Sequence, residues 1–114
     1  MPLVDVTYDS SVSEEALRHL IDVLPDVVAE AVECEEEPWV GPPAVGDIEI
    51  RCRPKSKFDV GELNVTIEVR TKLFDSRLAD KQRRADQIRG NLATVQLGMI
   101  GVWLILVDGA WSQS

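Results

Sequence analysis

Proline stands second in this chain, at the head of the stretch Pro2-Leu3-Val4-Asp5-Val6-Thr7-Tyr8. Val4, Val6 and Tyr8 alternate with Asp5 and Thr7, which is the period of a β-strand. Removal of the initiator Met1 would leave a secondary amine fixed at the end of that strand. An α-amino group titrates near ~8, and burial or nearby cations lower it toward neutrality. Such an amine can act as a general base at pH 7, because it holds the needed protonation state without being charged. The distribution of charge bears on what it would act upon. Up to Asp47, twelve carboxylates face one arginine, Arg18; from Ile48 onward, eleven Lys and Arg face eight acids. Several of those cations converging on one pocket would recognise a small anion. Arg70 lies on the polar face of its strand, where it can point into such a pocket.

The rest of the composition excludes several classes. A chain of 114 residues is one small domain, here 1–114, and oligomerisation would supplement its limited core. A net charge of -8 argues against nucleic acid as a partner. No apolar run approaches the ~18 residues of a membrane span, and no basic segment leads into an apolar core, so a cytoplasmic chain without a membrane partner is expected. Cys34 and Cys52 form no disulfide framework, and with His19 as the lone histidine a zinc site is not expected. The expectation is a protein with no cofactor and no metal.

Periodicity supplies the elements that would position Pro2. Ser11-Val12-Ser13-Glu14 offers a capping box, with Ser11 or Ser13 as N-cap. Leu17, Leu20, Ile21, Leu24, Val27, Val28 and Ala31 then form one apolar face of a helix from about Ser13 to Glu33. Pro25 sits inside it and should kink or interrupt it. The acidic stretch Glu35-Glu36-Glu37-Pro38 reads as a solvated loop. Asp47–Arg53 and Leu63–Arg70 alternate as strands, and Thr71–Ser76 reads as a loop. A second helix, capped by Asp75 or Ser76, presents Leu78, Ala85, Ile88, Leu92 and Val95 on one side, with Gly98 as its stop. Ile100–Val107 is apolar on both faces, as expected of a central strand. The order is β-α-β twice, with halves of about 1–62 and 63–114 that look like a degenerate duplication. An α/β (α+β) domain follows, with two helices on one face of a four-stranded sheet. The other face, carrying Trp103, would then need the cover of a trimer or dimer.

A β-α-β duplication of this length beginning with Met-Pro resembles the tautomerase superfamily, which includes 4-oxalocrotonate tautomerase, 5-carboxymethyl-2-hydroxymuconate isomerase and macrophage migration inhibitory factor. The opening Pro-Leu-Val-Asp-Val is similar to the family's first strand. The resemblance implies that Pro2 becomes the N-terminal catalytic residue. Val65-Thr66-Ile67-Glu68-Val69-Arg70, leading to Arg77-Leu78-Ala79-Asp80, resembles the segment where cations hold the substrate carboxylate; this implies substrate binding by Arg70 and Arg77, with Lys72 as a further cation. Lys55-Ser56-Lys57-Phe58 with Gly61 is similar to a hairpin that would make Phe58 a hydrophobic wall. Trp103 falls at the place of a pocket aromatic, and Ala110-Trp111-Ser112 resembles the family's tails, where Trp111 is structural. The chain departs from the family at Cys34-Glu35-Glu36, where the cytokine has a pocket lysine. It also lacks a convincing match for the histidine and glutamate of the family's chloroacrylate dehalogenases, and none of Glu35, Glu36 or Glu37 cleanly matches the aspartate of its malonate semialdehyde decarboxylase.

The resemblance implies a cofactor-free tautomerase or isomerase, a homotrimer acting on a small 2-oxo or 2-hydroxy-dienoic acid. The rival is a catalytically inactive oligomeric homologue, or a ferredoxin-like ligand-binding module of the same element order.

Overall fold

Each half of the chain folds as a parallel β-α-β unit, and the two units join through their first strands. The computed structural model describes residues 2–44 and 46–114. The first unit is β1 (Leu3–Tyr8), α1 (Glu14–Val32) and β2 (Glu49–Pro54); the second is β3 (Val65–Lys72), α2 (Asp75–Ala79), α3 (Lys81–Asn91) and β4 (Ile100–Val107). β1 pairs with β2 in parallel, β3 with β4 in parallel, and β1 with β3 antiparallel. The sheet order is therefore β2-β1-β3-β4. The expected α+β architecture, a four-stranded mixed sheet with helices on one face, is what the chain adopts.

That order corrects one expectation. β4 is an edge strand, not a central one, because the antiparallel join puts the second strand of each unit on the outside. Its apolar residues on the open face stay partly uncovered within one chain, and Trp103 is 66% exposed. The central strands are β1 and β3. Val4 and Val6 of β1, with Val65, Ile67 and Val69 of β3, are buried on the helix side. The alternate residues Asp5, Thr7, Thr66, Glu68 and Arg70 lie on the other side, as the period of two requires.

α1 closes the core with Ala16, Leu20, Leu24, Val28, Ala31 and Val32, all buried. Each large apolar side chain removed from water contributes roughly 1.5–3 kcal/mol. Of the two candidate caps Ser13 takes the role, its Oγ accepting from Ala16 N at 3.1 Å, while Ser11 turns back to Asp9. Pro25 does not interrupt the helix, which runs through it from Glu14 to Val32. Leu20 and Leu24 before it and Val28 after it are anchored on the same core, and that burial outweighs one missing backbone donor.

The second helix does break. It divides at Asp80 into α2 and α3, and Asn91 ends α3 well before Gly98. Asp80 leaves helical geometry (φ −133°, ψ 32°) while its carboxylate takes Arg84 Nε at 2.5 Å and Arg83 Nη2 at 2.7 Å. The break turns Leu78, expected on the apolar face, out to partial exposure, and brings Arg84 inward to near-complete burial. The strand bounds shift as well. Asn64 is held by Asp9 and Met99 ahead of β3, whereas Thr71 and Lys72 pair with Leu106 and Val107 and so belong to the strand. No helix among the described residues is long and apolar enough to cross a membrane.

The Arg83 and Arg84 hydrogen bonds hold the Asp80 carboxyl below its ordinary value of 3.8. A carboxylate depressed in the folded state contributes stability that is present above its unfolded value and lost as pH falls through the folded one. Urea midpoints should therefore decline below about pH 4, and Asp80→Asn should be less stable near neutrality with a shallower decline in acid. An Asp80→Asn midpoint that falls as steeply as the parent's would remove Asp80 from this account.

Candidate functional site

Pro2 is buried at the head of β1, between β2 and β3. Its carbonyl accepts Glu49 N at 3.1 Å, which ties the head of β1 to the start of β2. It lines a cavity of about 260 Å³ together with Glu37, Trp39, Gly46 and Asp47. Met1, on whose removal the amine reading depends, lies outside the described residues.

The antiparallel register brings the cations to the same end of the sheet. Leu3 pairs with Arg70, so Pro2 sits one residue beyond that pair and about one strand spacing, ~4.8 Å, from β3. Arg70 and Lys72 share the open face by alternation, whereas Pro2 falls on the helix side with Val4. Arg70 and Lys72 line a second cavity of about 480 Å³, whose other walls include Leu3, Thr71, Val107 and Trp111. Glu37 lines both cavities and is the residue where they meet.

Each cation stands in a different state. Arg70 Nη1 lies 3.1 Å from Asp5 Oδ2 and Nη2 lies 3.3 Å from Glu68 Oε2. Asp5 also faces Arg51, whose Nε is 3.3 Å from Oδ1 but out of line for a hydrogen bond. Lys72 has no carboxylate within ion-pair distance among the described residues; its Nζ lies 5.3 Å from the centre of the Phe74 ring. Arg77 is 1% exposed, and each nitrogen of its guanidinium donates a hydrogen bond. Nε donates to Val32 O at 2.8 Å, Nη1 to Lys72 O at 2.9 Å, and Nη2 to Glu37 at 3.3 Å. It stands behind the cavities and fixes their walls.

Arg84 works beside it, donating from Nη1 to Ala31 O at 2.9 Å and Glu33 O at 2.6 Å. Together the two arginines satisfy carbonyls that the last turn of α1 leaves unpaired, and place positive charge at the negative end of its dipole. α1 has no basic residue in its own last turn. The acidic loop that follows is likewise held rather than freely solvated. Glu33 accepts from Trp39 N at 3.1 Å, Glu36 accepts from the backbone and hydroxyl of Ser76, and Glu37 accepts from Arg77. The Ser76 hydrogen bonds hold the Glu36 carboxyl below its ordinary value.

Phe58 and Trp103 are not brought to this end within one chain. Phe58 is 80% exposed in the connection after β2. Lys55 N there donates to Tyr8 O, at the far end of β1 from Pro2, about 20 Å along six strand residues. Trp103 pairs with Glu68 in the middle of the open face. The sequence reading missed Glu37 and Trp39 as cavity residues, because side chains in an irregular acidic loop carry no period that would aim them. Trp111, read as structural, also lines the larger cavity. Trp39 Nε1 and Thr71 Oγ1 are buried without a hydrogen-bond partner among the described residues, so packing at this end is incomplete in polar terms. Burial pushes the Cys52 thiol up, which keeps it protonated and unreactive.

Arg77→Leu should cost about 3 kcal/mol, since it strands carbonyls of Val32 and Lys72 and leaves Glu37 without its cation. Urea unfolding measures this. Arg77→Leu as stable as the parent would show that the guanidinium is not what holds the loop.

No family model and no curated protein matches the sequence. Solved structures do match it. One is a 5-carboxymethyl-2-hydroxymuconate isomerase from Deinococcus radiodurans R1, 17% identical, with a TM-score of 0.67 over 98% of this chain and 88% of that one. A second is FG41 malonate semialdehyde decarboxylase inhibited by 3-bromopropiolate, 20% identical, again with a TM-score of 0.67, 98% of this chain and 88% of that one. A third is a fused 4-OT described as a symmetric trimer, 18% identical, with a TM-score of 0.60 over 92% of this chain and 85% of that one. This chain thus shares its fold, across nearly its whole length, with an isomerase, a decarboxylase and a 4-OT.

Proposed function

We propose that this protein is a cofactor-free tautomerase or isomerase of small 2-oxo or 2-hydroxy-dienoic acids, with Pro2 as its general base. The observation that carries this reading is the burial of Pro2 at the end of a central strand, one residue from a register pair that places Arg70 and Lys72 beside an adjoining cavity. In the mature chain the prolyl nitrogen takes a proton from the substrate's enol, or from carbon next to its carbonyl, and returns it elsewhere on the same skeleton. Lys72 holds the carboxylate, and Arg70 beside it on the same face helps stabilise the negative charge that develops on the dienolate. Arg77 serves the site by fixing Glu37 and the end of β3.

The neutral amine is the active form, so kcat/KM falls as pH drops and the nitrogen becomes protonated.

A homotrimer is part of the same proposal. Trp103 with Ile105 and Val107 forms an apolar stripe on the open face that a second copy would cover, and a fused 4-OT of this fold is a symmetric trimer. Only across such a contact would Trp103 or Phe58 reach a cavity and complete its wall.

The intact mass of the natively expressed chain should lack one methionine. Phenylenolpyruvate ketonisation should be catalysed by the parent and should fall by about 10²–10⁴ in kcat for Pro2→Ala. A retained Met1, which makes the Pro2 nitrogen an amide, or turnover equal to buffer, would sink the enzyme reading and favour an inactive oligomeric module. Light scattering should give the mass of three chains for the parent and a smaller species for Trp103→Glu; a monomeric parent would overturn the trimer.

A further inference from the structure

We infer that the larger cavity takes a monocarboxylate with a flat apolar body, and that Glu37 is the specificity residue that excludes a second carboxylate. This rests on the tautomerase reading for the chemistry that follows binding, though not for the binding itself. Three cations lie around the cavity, and two already have carboxylate partners. Arg70 bridges Asp5 and Glu68, and Arg77 faces Glu37 from behind the wall. Lys72 alone among them has no carboxylate within ion-pair distance among the described residues. Its ammonium is held over the Phe74 ring, and Arg77 lies over the same ring at 5.3 Å. Two cations held against one aromatic ring repel each other, and an incoming anion relieves that repulsion. One unpaired cation matches one carboxylate.

The rest of the cavity is apolar where a ligand's body would lie. Leu3, Val107, Ala110 and Trp111 line it, and Trp111 is half-exposed with its indole nitrogen turned to Gln113 at 2.8 Å. A planar conjugated chain or ring fits against that indole and the aliphatic side chains. The end toward Pro2 is closed by Glu37, shared between the two cavities. A ligand anchored at Lys72 and extending toward Pro2 brings its distal end to this carboxylate. An apolar end meets no penalty there, whereas a second carboxylate meets the Glu37 carboxylate, of which Arg77 engages one oxygen at 3.3 Å, and the like charges repel.

The test is direct binding, read by amide-shift titrations with two planar unsaturated acids, cinnamate and (E,E)-muconate, at neutral pH. Cinnamate should shift the amides of Lys72, Val107 and Gly109 and bind about tenfold tighter than muconate. Glu37→Gln keeps an oxygen for Arg77 and should bring the two affinities together, whereas Lys72→Met should weaken cinnamate. Muconate binding as tightly as cinnamate, a preference unchanged by Glu37→Gln, or no binding of cinnamate would each overturn the inference. Binding of cinnamate with no Pro2-dependent turnover of phenylenolpyruvate would instead leave this inference standing and remove the catalytic one.

Discussion

The last turn of α1 ends in carbonyls that no side chain of its own can satisfy, and two arginines from the other half of the chain do so. Arg77 and Arg84 are buried, and between them they reach Ala31, Val32 and Glu33. A buried guanidinium is costly unless its donors are used, and here the donors are spent on carbonyls and on Asp80 and Glu37. The arrangement couples the two β-α-β units a second time, beside the β1–β3 ladder that also joins them. It also dictates where the following loop goes. With Val32 and Glu37 both held by Arg77, the loop continues from Glu37 through Pro38 and Trp39 beside Pro2.

The Pro2 end of the sheet is therefore shaped by groups that do not themselves face a ligand. The antiparallel ladder places Arg70 opposite Leu3, and the parallel pairing of β3 with β4 carries Lys72 to Val107, next to the tail that bears Trp111. Arg70 is restrained on the open face by Asp5 and Glu68 in partly exposed ion pairs, worth little as stability but enough to bias its direction. Lys72 is steadied by an aromatic ring instead of a carboxylate. The difference leaves one cation's charge available and the other's largely compensated, which is a more selective arrangement than two free cations would be.

Much of the fold was legible from period alone. β4 has the bounds its sequence implies and β1 has them to within a residue or two, because an apolar run in the one and alternation in the other are strong local signals. α1 was legible for the same reason, except that Pro25 was given too much weight: the local rule counts a missing donor, and burial on both sides of it decides the outcome. The single second helix differs from the structure because Leu78 fits a helical stripe with Ile88 and Leu92, while at the break Arg83 and Arg84 each take one oxygen of the Asp80 carboxylate. β4 was placed at the centre because an apolar strand is commonly covered on both faces. Which strand lies at the edge follows from pairing, and pairing is not encoded in the strand's own residues.

By itself the sequence determined the β-α-β order, the apolar faces that make one core, the proline at the head of the first strand and the polar face on which Arg70 lies. These depend on residues close in sequence, whose spacing is fixed by backbone geometry. The tertiary structure decided which cations meet carboxylates and which does not. It also made Arg77, to which the resemblance assigns substrate binding, the pin of a loop, and set Glu37 between two cavities. Those outcomes depend on contacts between Glu37 and Arg77, or Leu3 and Arg70, that lie tens of residues apart along the chain. Only closure of the fold brings such groups together, and only then do charge and burial choose among them.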